Sequence, residues 1–172
     1  MGKTFVTADT HFGHSNIIKY CGRPYGSVKQ MDESLINNWN RTVGKDDTVI
    51  FLGDLAFRGR DTDWLSQLNG NIIRVRGNHD SRGQDSFDMD YEGENIHFTH
   101  WPEAQPIKSG KWNIHGHKHD KGQLVDINRR SMCVSTELTA YKPIELRELL
   151  KIRNEAVEDG AIVYKLGGSR KR

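Results

Sequence analysis

The hydrophobic and polar positions in the first half of the chain follow two alternating patterns. Short apolar runs predict buried strands at residues 3–8, 48–52 and 71–75. Segments with apolar residues at helical spacing predict helices at residues 15–20, 28–43 and 61–68. The longest of these helices carries Met31, Leu35 and Trp39 on one face, which predicts packing against a core. Alternation of strands and helices is typical of an α/β domain.

The second half of the chain is mostly strand. Short apolar segments predict strands at residues 87–91, 96–99, 112–115, 124–127, 132–135 and 161–165. Proline suits the first turn of a helix, so Pro143 predicts that a helix begins there and covers residues 144–157. Together the two halves predict a layered α/β sandwich with mixed sheets. We expect one domain over residues 1–166, followed by a basic flexible tail at 167–172.

The composition fits a soluble globular protein. The chain has 172 residues, of which 35% are apolar and 28% charged, so it can bury the core of one domain. No apolar run is long enough to cross a bilayer, and the first residues do not resemble a secretory signal. Cys21 and Cys133 lie far apart, which favours two free thiols and a cytoplasmic location. A net charge of +2 gives no general electrostatic case for a nucleic-acid partner.

Side chains of the kinds that bind metals follow three of the predicted strands. Asp9 and His11 follow the first strand, Asp54 follows the second and Asn78 follows the third. Ligand sites of open α/β sheets lie beyond the carboxyl ends of the strands, so these side chains are expected in one place. In an extended chain, the two-residue spacing of Asp9 and His11 would point both side chains the same way.

A later strand is followed by His117 and His119, which repeat the two-residue spacing. Asp54 stands between apolar residues, and its carboxylate could bridge two cations with one oxygen each. Glycine, which lets backbone pass close to a metal or phosphate, precedes a predicted ligand at Gly53, Gly77 and Gly116. The nitrogen and oxygen ligands suit Mn, Fe, Ni, Co or Zn. Two carboxylates leave a pair of divalent cations net positive, even with a bridging hydroxide, which favours a phosphate anion.

Five short motifs occur in order along the chain. They are Asp9-x-His11, Gly53-Asp54, Gly77-Asn78-His79-Asp80, His100 and Gly116-His117-x-His119. The set resembles the ordered motifs of the calcineurin-like metallophosphoesterases, and residues 9–18 are similar to a compact prokaryotic and phage branch of that family. The resemblance implies a four-layer α-β-β-α sandwich of mixed sheets, with a dinuclear metal site at the carboxyl ends of the strands.

The resemblance also implies a role for each motif residue. Two divalent transition metal ions are expected, with Mn first among the candidates. The first ion would bind Asp9, His11, Asp54 and His119. The second would bind Asp54, Asn78, His100 and His117. A bridging hydroxide would attack phosphorus, and the catalytic group would be Asn78, His79 and Asp80. In it, His79 would protonate the leaving oxygen or bind a phosphate oxygen, while Asp80 orients its ring.

Some residues keep a second interpretation. His97 competes with His100 as a ligand, although His100 closes its strand. His14 fits equally well as a substrate contact and as the cap of the helix at 15–20. The candidates for substrate binding are His14, Arg23, Tyr25 and Arg58. An arginine beside the site could grip a phosphate, although a loop arginine is more often simply solvated. Phe12, Tyr25 and Trp101 could stack on a base, with packing in the core or at the rim as the alternative.

The function that this sequence predicts is hydrolysis of a phosphodiester or a phosphomonoester, with the diester favoured because His79 can assist an alkoxide leaving group. By analogy with the family, the substrate class includes nucleotides and nucleic-acid ends. A non-catalytic scaffold on the same fold is one alternative, and a nuclease that depends on a partner is another. A monomer or small homo-oligomer without a membrane partner is expected.

Overall fold

A computed structural model describes residues 2–168 together with the backbone of residues 170 and 171. The elements are, in chain order, β1 (Thr4–Thr7), α1 (Ser15–Tyr20), α2 (Val28–Thr42), β2 (Thr48–Phe51), α3 (Asp61–Leu65), β3 (Asn71–Arg74), β4 (Ser86–Tyr91), β5 (Glu94–Thr99), β6 (Trp112–His115), a 3₁₀ turn (His119–Lys121), β7 (Ser131–Cys133), β8 (Ile144–Glu145), α4 (Leu146–Asp159), β9 (Ile162–Val163) and β10 (Arg170–Lys171). In this described part of the chain, none of the helices is long and apolar enough to cross a membrane.

Two four-stranded mixed sheets carry the fold. The first has the order β3-β2-β1-β8, in which β1, β2 and β3 are parallel and β8 is antiparallel. The second has the order β4-β5-β6-β7, in which β5, β6 and β7 are parallel and β4 is antiparallel. A parallel bridge between Ala8 and Ser135 joins the carboxyl ends of β1 and β7. The predicted α/β fold with mixed sheets is confirmed.

Alternation of side chains along β1 and β2 divides the core into two clusters. Val6 and Ile50 belong to a cluster shared with the second sheet and α4. Phe5 and Val49 point to the opposite face, where they pack with α2 residues such as the fully buried Trp39. The first sheet is therefore covered on both faces, which explains why β1 and β2 are almost continuously apolar.

Several predicted elements differ from the structure. The helix predicted at 61–68 is shortened to Asp61–Leu65, and the strand predicted at 161–165 to Ile162–Val163. The strand predicted at 124–127 is wrong, because this segment makes only isolated bridges, Val125 to Val163 and Asp126 to Ser131. The helix predicted from 144 begins instead at Leu146. Its first residues are taken by β8, in which Ile144 pairs with Val6 of β1. Sheet pairing therefore overrides the helix signal of the preceding proline.

The predicted flexible tail lies partly outside the described residues, at 169 and 172. The backbone of Arg170–Lys171 forms β10, which pairs antiparallel with β9. The domain boundary after residue 166 stays a prediction.

Candidate metal centre

The predicted metal ligands follow the carboxyl ends of parallel strands from both sheets. Asp9 follows β1, Asp54 follows β2 and Asn78 follows β3 in the first sheet. His100 directly follows β5, and His117 lies two residues beyond β6. Because the Ala8–Ser135 bridge joins the two sheets at this end, the ligands of both sheets meet at one edge.

The backbone at this edge is left-handed at five ligand residues. Positive φ angles occur at Asp9 (60°), His11 (51°), Asp54 (60°), His117 (68°) and His119 (50°). Asp9 and His11 therefore do not lie on the extended backbone that their spacing suggested, although their ligand atoms still lie within 4.8 Å of each other. Left-handed backbone costs about 1–3 kcal/mol per non-glycine residue and concentrates at functional sites. Asp, Asn and His tolerate it better than branched residues do.

One group of ligand atoms comes from Asp9, His11 and His119, which lie within 4.8 Å of one another. Asp9 Oδ2 accepts hydrogen bonds from the Ser135 hydroxyl at 2.6 Å and from the His117 amide at 2.9 Å. Asp9 Oδ1 and both ring nitrogens of His11 are buried without a hydrogen-bond partner among the described residues. Buried polar atoms without partners are costly, so these orphaned atoms fit a cation as their missing partner.

A second group comes from Asp54, His100 and His117, whose ligand atoms also lie within 4.8 Å of one another. The Asn78 side-chain oxygen lies 3.0 Å from His100 Nε2 and 3.1 Å from His117 Nδ1. These two nitrogens are themselves 3.2 Å apart. Ligand atoms about 2.1 Å from one ion are separated by such distances, so the four side chains fit the second predicted ligand set.

Asp54 joins the two groups through a single oxygen. Its Oδ2 lies 3.5 Å from His11 Nε2 and 3.5 Å from His100 Nε2. Its Oδ1 accepts the backbone amide of His79 at 2.9 Å, while Oδ2 is the oxygen near both groups and is therefore suited to being shared by two cations. The expected bridge with one oxygen for each cation stays a prediction.

The protonation preferences of the ligands divide into two kinds. Burial lowers the pKa of His11 to about 2 and that of His117 to about 4, so both rings are neutral and can donate a lone pair. Burial also raises the pKa of Asp9 to about 6. Burial opposes a charge on His119, yet hydrogen bonds with Cys21 and Glu137 and the charge of Asp9 raise its pKa to about 11. A cation bound here would take the place of that proton.

Glu137 and Ser135 support the first group, and neither was predicted from the sequence. Glu137 Oε1 accepts a hydrogen bond from His119 Nδ1 at 3.0 Å, which leaves Nε2 of that ring for a metal. The Ser135 hydroxyl accepts the His119 amide at 3.1 Å in addition to its bond to Asp9. The available signal was their position just after β7, where polar residues follow an apolar strand.

Arg23 does not reach toward a substrate as expected. Its buried guanidinium donates to the carbonyl oxygens of Asp9 at 2.7 Å and Thr10 at 2.8 Å. It also donates to Glu137 Oε1 at 2.7 and 2.9 Å. The prediction that Arg23 grips a phosphate is therefore wrong, because its donors hold the turn that carries Asp9.

Asp80 also has a different role from the expected one. Its Oδ2 accepts the amides of Asp54 at 2.7 Å and Gly77 at 2.9 Å, while Oδ1 accepts the Leu55 amide at 3.1 Å. Arg74 lies 3.4 Å from Oδ1. The buried carboxylate thus ties the loop after β2 to the loop after β3, so the prediction that it orients the ring of His79 is wrong.

His79 is exposed beside the first ligand group. Its ring centroid lies 5.3 Å from that of His11 and 5.9 Å from that of Phe57. One of its ring nitrogens lies within 4.8 Å of ligand atoms of His11 and Asp54. The imidazole is therefore close enough to contact a group bound between the two ligand sets.

The other candidate substrate contacts lie in two different places. His14 makes no side-chain cap to α1, and its ring stacks on Phe57 with centroids 4.1 Å apart and lies 5.5 Å from that of His11. Arg58 is exposed next to this pair, and its charge helps to lower the pKa of His14, after the effect of burial. Tyr25 is half-buried and packs edge-on against Tyr141 at the edge of the core, which fits the packing alternative rather than a contact with substrate.

Glycine is needed where the ligand loops cross. A side chain at Gly77 would place its Cβ 2.1 Å from Asp54 Oδ1, and one at Gly53 would meet His100 Nδ1 at 2.6 Å. Both are closer than atoms can approach, so each glycine makes room for a neighbouring ligand.

Comparison with known proteins identifies relatives over almost the whole chain. Residues 2–164 match the calcineurin-like phosphoesterase family. An uncharacterized protein of Methanocaldococcus jannaschii, MJ1445, is 38% identical over 172 residues, which cover 95% of this chain and 96% of that protein. The gene 66 protein of Mycobacterium phage L5 is 33% identical over 85 residues, covering 46% of this chain and 41% of that protein.

Among solved structures, a protein of unknown function from Aquifex aeolicus, AQ665, shares the fold. It superposes with a TM-score of 0.69 at 24% sequence identity, covering 88% of this chain and all of that one.

Proposed function

The chain belongs to the calcineurin-like phosphoesterase family, and we propose that it hydrolyses a phosphodiester or a phosphomonoester at the paired ligand groups described above. The observation that carries the proposal is the position of Asp54 Oδ2, 3.5 Å from a histidine of each group. A carboxylate oxygen shared in this way is suited to two cations a short distance apart. Two divalent cations held there would supply an activated water and neutralise charge on the phosphoryl group.

The choice of metal follows from the donors. The two groups offer imidazole nitrogen, carboxylate oxygen and one amide oxygen, without a sulfur ligand in either set. Such donors suit Mn, Fe, Co, Ni and Zn, and Mn is our first candidate. With two carboxylates facing two divalent cations, the centre keeps a positive charge that attracts a phosphate group.

His79 is our candidate for the general acid. Its backbone amide is fixed by Asp54 Oδ1, so the residue is anchored to the bridging ligand while its ring remains exposed. An imidazole can give a proton to a leaving alkoxide near neutral pH. The leaving group of an unactivated phosphodiester is an alkoxide, which a proton from His79 would assist, so we favour phosphodiesters.

The test is turnover of bis-p-nitrophenyl phosphate and p-nitrophenyl phosphate by purified protein supplied with Mn²⁺ or Ni²⁺. We expect hydrolysis of the diester, and loss of activity in Asn78→Ala together with weaker binding of one metal ion. A folded, metal-loaded protein that hydrolyses no phosphoester with any divalent cation would contradict the proposal. Such a protein would instead have the role of a scaffold.

A further inference from the structure

Two large, exposed aromatic side chains line one cleft beside the metal centre. Tyr20, at the end of α1, is 69% exposed, and Trp101, just after β5, is 55% exposed. They line a cleft of about 840 Å³ whose floor includes the ligands His117 and His119. A substrate whose phosphate lies at the metal centre would therefore extend into this cleft.

The structure separates Trp101 from the other aromatic residues considered for stacking. Phe12 is fully buried and stacks on Trp64 with centroids 4.9 Å apart. Tyr25 is half-buried and packs against Tyr141 at the edge of the core. Trp101 instead contacts His117, with ring centroids 3.6 Å apart, and keeps more than half of its surface open. An exposed indole next to a polar centre is a ready surface for a planar group.

The Trp101 backbone is held in place before any ligand arrives. The Thr99 hydroxyl donates to the Trp101 carbonyl oxygen at 2.6 Å, and the buried Asn113 side chain donates to that hydroxyl at 2.9 Å. The side-chain oxygen of Asn113 accepts a hydrogen bond from the backbone amide of Glu103 at 3.2 Å. The loop around Trp101 is thus fixed on both sides, which lowers the entropic cost of stacking a ligand on it.

The charges that line the cleft balance each other. Three of the charged residues are basic, namely Lys118, Lys121 and Arg129, and three are acidic, namely Glu103, Asp120 and Asp126. A tract of phosphates would require an excess of basic groups. A balanced set of donors and acceptors beside aromatic side chains suits a flat, neutral group with polar edges.

We propose that this cleft binds the nucleoside of a nucleotide ester, with the base stacked on Trp101 and with Tyr20 as a second aromatic residue of the same cleft. The inference rests on the proposed phosphoesterase function and names its substrate class. The substrate would be a small nucleotide ester rather than a nucleic-acid strand, because the cleft has no excess of basic residues to bind a run of phosphates.

The first experiment compares two diesters that share one leaving group. Thymidine 5′-(p-nitrophenyl phosphate) carries a nucleoside, whereas methyl p-nitrophenyl phosphate carries only a methyl group, and both release the same coloured product. We expect a higher kcat/KM for the thymidine ester. Stacking on an aromatic ring is worth about 5- to 150-fold per base, so Trp101→Ala should reduce the ratio of the two kcat/KM values by that order.

Two further variants guard against indirect effects through His117. Trp101→Phe keeps an aromatic surface and should restore most of the ratio, while Tyr20→Ala removes the second aromatic residue and should lower it. Val157→Ala removes an exposed apolar side chain on α4, so the ratio should not change. Equal kcat/KM values for the two esters in the wild-type protein would overturn the proposal. An unchanged ratio in Trp101→Ala would also overturn it.

A binding experiment keeps the proposal testable without catalysis. Adenosine 5′-monophosphate and ribose 5-phosphate differ only by the base, and calorimetry with metal-loaded protein measures both affinities. We expect tighter binding of the nucleotide, and loss of that difference in Trp101→Ala. If neither ester is hydrolysed but this difference is found, the proposed hydrolysis fails and the nucleoside site stands. Faster cleavage of a single-stranded oligonucleotide than of the thymidine ester would contradict the preference for a small ester.

Discussion

The Nδ1 atom of His100 donates a hydrogen bond to the carbonyl oxygen of Leu52 over 2.7 Å. This hydrogen bond places the ring proton on Nδ1. The lone pair of Nε2 is therefore free for a cation of the second ligand group, near the side-chain oxygens of Asn78 and Asp54. The rival histidine, His97, lies elsewhere. Its Nδ1 is 2.6 Å from Asp88 Oδ1 and its Nε2 is 3.5 Å from Glu103 Oε1, so both ring nitrogens face acidic side chains that are not metal ligands.

The first prediction distinguishes these two histidines. We expect His100→Ala to lose one of two tightly bound metal ions, because Nε2 belongs to the second ligand group. His97→Ala should keep both ions. Metal content after dialysis, measured by elemental analysis, checks the result. Two tight ions in His100→Ala would show that this histidine is not a ligand.

The second prediction concerns the support of His119 by Glu137. Because hydrogen bonds with Cys21 and Glu137 and the charge of Asp9 raise the pKa of His119 to about 11, we expect a proton on this ring at pH 8 in the metal-free protein. Binding of a cation should release that proton, so apparent metal affinity should rise with pH. Glu137→Gln removes the carboxylate that orients the ring, and we expect affinity to fall by about 10- to 100-fold. Calorimetry in two buffers of different ionisation enthalpy measures affinity and proton release together.

The matched control for Glu137 is Glu158→Gln, at an exposed carboxylate of α4. It should leave metal affinity and proton release at their wild-type values. Equal affinities for Glu137→Gln and the wild type would show that the His119–Glu137 bond does not support the metal.

The third prediction separates the neighbours His79 and Asp80. His79→Ala should keep the fold and both metals but lose activity on esters with alkoxide leaving groups, because only the exposed ring is removed. Asp80→Ala should lower the midpoint of thermal unfolding, because several donors lose their acceptor. Each buried donor left unpaired costs about 1–3 kcal/mol. Thermal unfolding and metal analysis of both variants test this prediction. An Asp80→Ala protein that is as stable and as metal-loaded as the wild type would show that Asp80 does not hold the two loops together.

The fourth prediction concerns Gly77. In Gly77→Ala, the new Cβ would lie 2.1 Å from Asp54 Oδ1, so the bridging carboxylate must move. We expect metal binding to weaken at both ligand groups. Gly26→Ala is the control, since its Cβ would meet only the end of the Gln30 side chain at 3.4 Å. Metal titration of both proteins decides the point, and normal binding by Gly77→Ala would argue against a shared Asp54.

The placement of Asp9, Asp54 and Asn78 could be predicted because parallel strands end at the same edge of a sheet. Their exact geometry could not. The left-handed backbone at Asp9 and His11 depends on hydrogen bonds to the loop after β2, such as Asp9 N to Gly53 O at 2.9 Å. Contacts of this kind join distant segments and leave no local pattern.

The roles of Arg23 and Glu137 could not be predicted from the sequence either. In sequence, Arg23 lies in a glycine- and proline-containing loop, where an arginine is expected to be solvated. In the fold, its planar group meets two carbonyl oxygens and a carboxylate 114 residues away. Only the pairing of β1 and β7 ends brings these partners together, so the support of His119 could not be inferred from the chain alone.

The fifth prediction is a pH dependence of stability that comes from Asp32. Burial raises its pKa to about 6 from 3.8, although the Gly13 amide donates to both carboxylate oxygens at 3.1 and 3.2 Å. Between pH 4 and 6 the folded protein therefore binds more protons than the unfolded chain at this group. Its contribution to stability falls as pH rises through this range.

Asp32→Asn cannot titrate, so its stability relative to the wild type should improve steadily from pH 4 to 6. Urea unfolding of both metal-free proteins at several pH values measures the difference, and the shared contribution of Asp9 cancels. Asp46→Asn, at an exposed carboxyl on the surface, serves as the comparison. A difference that stays constant with pH would contradict the prediction.

The left-handed turns under the ligands have a consequence for stability. Glycine adopts the left-handed conformation of these five positions without steric strain. Replacement of a ligand by glycine therefore relieves backbone strain while it removes a metal ligand. For the metal-free fold, exchange of one of these ligands for glycine therefore costs less stability than exchange for alanine, which keeps the left-handed strain.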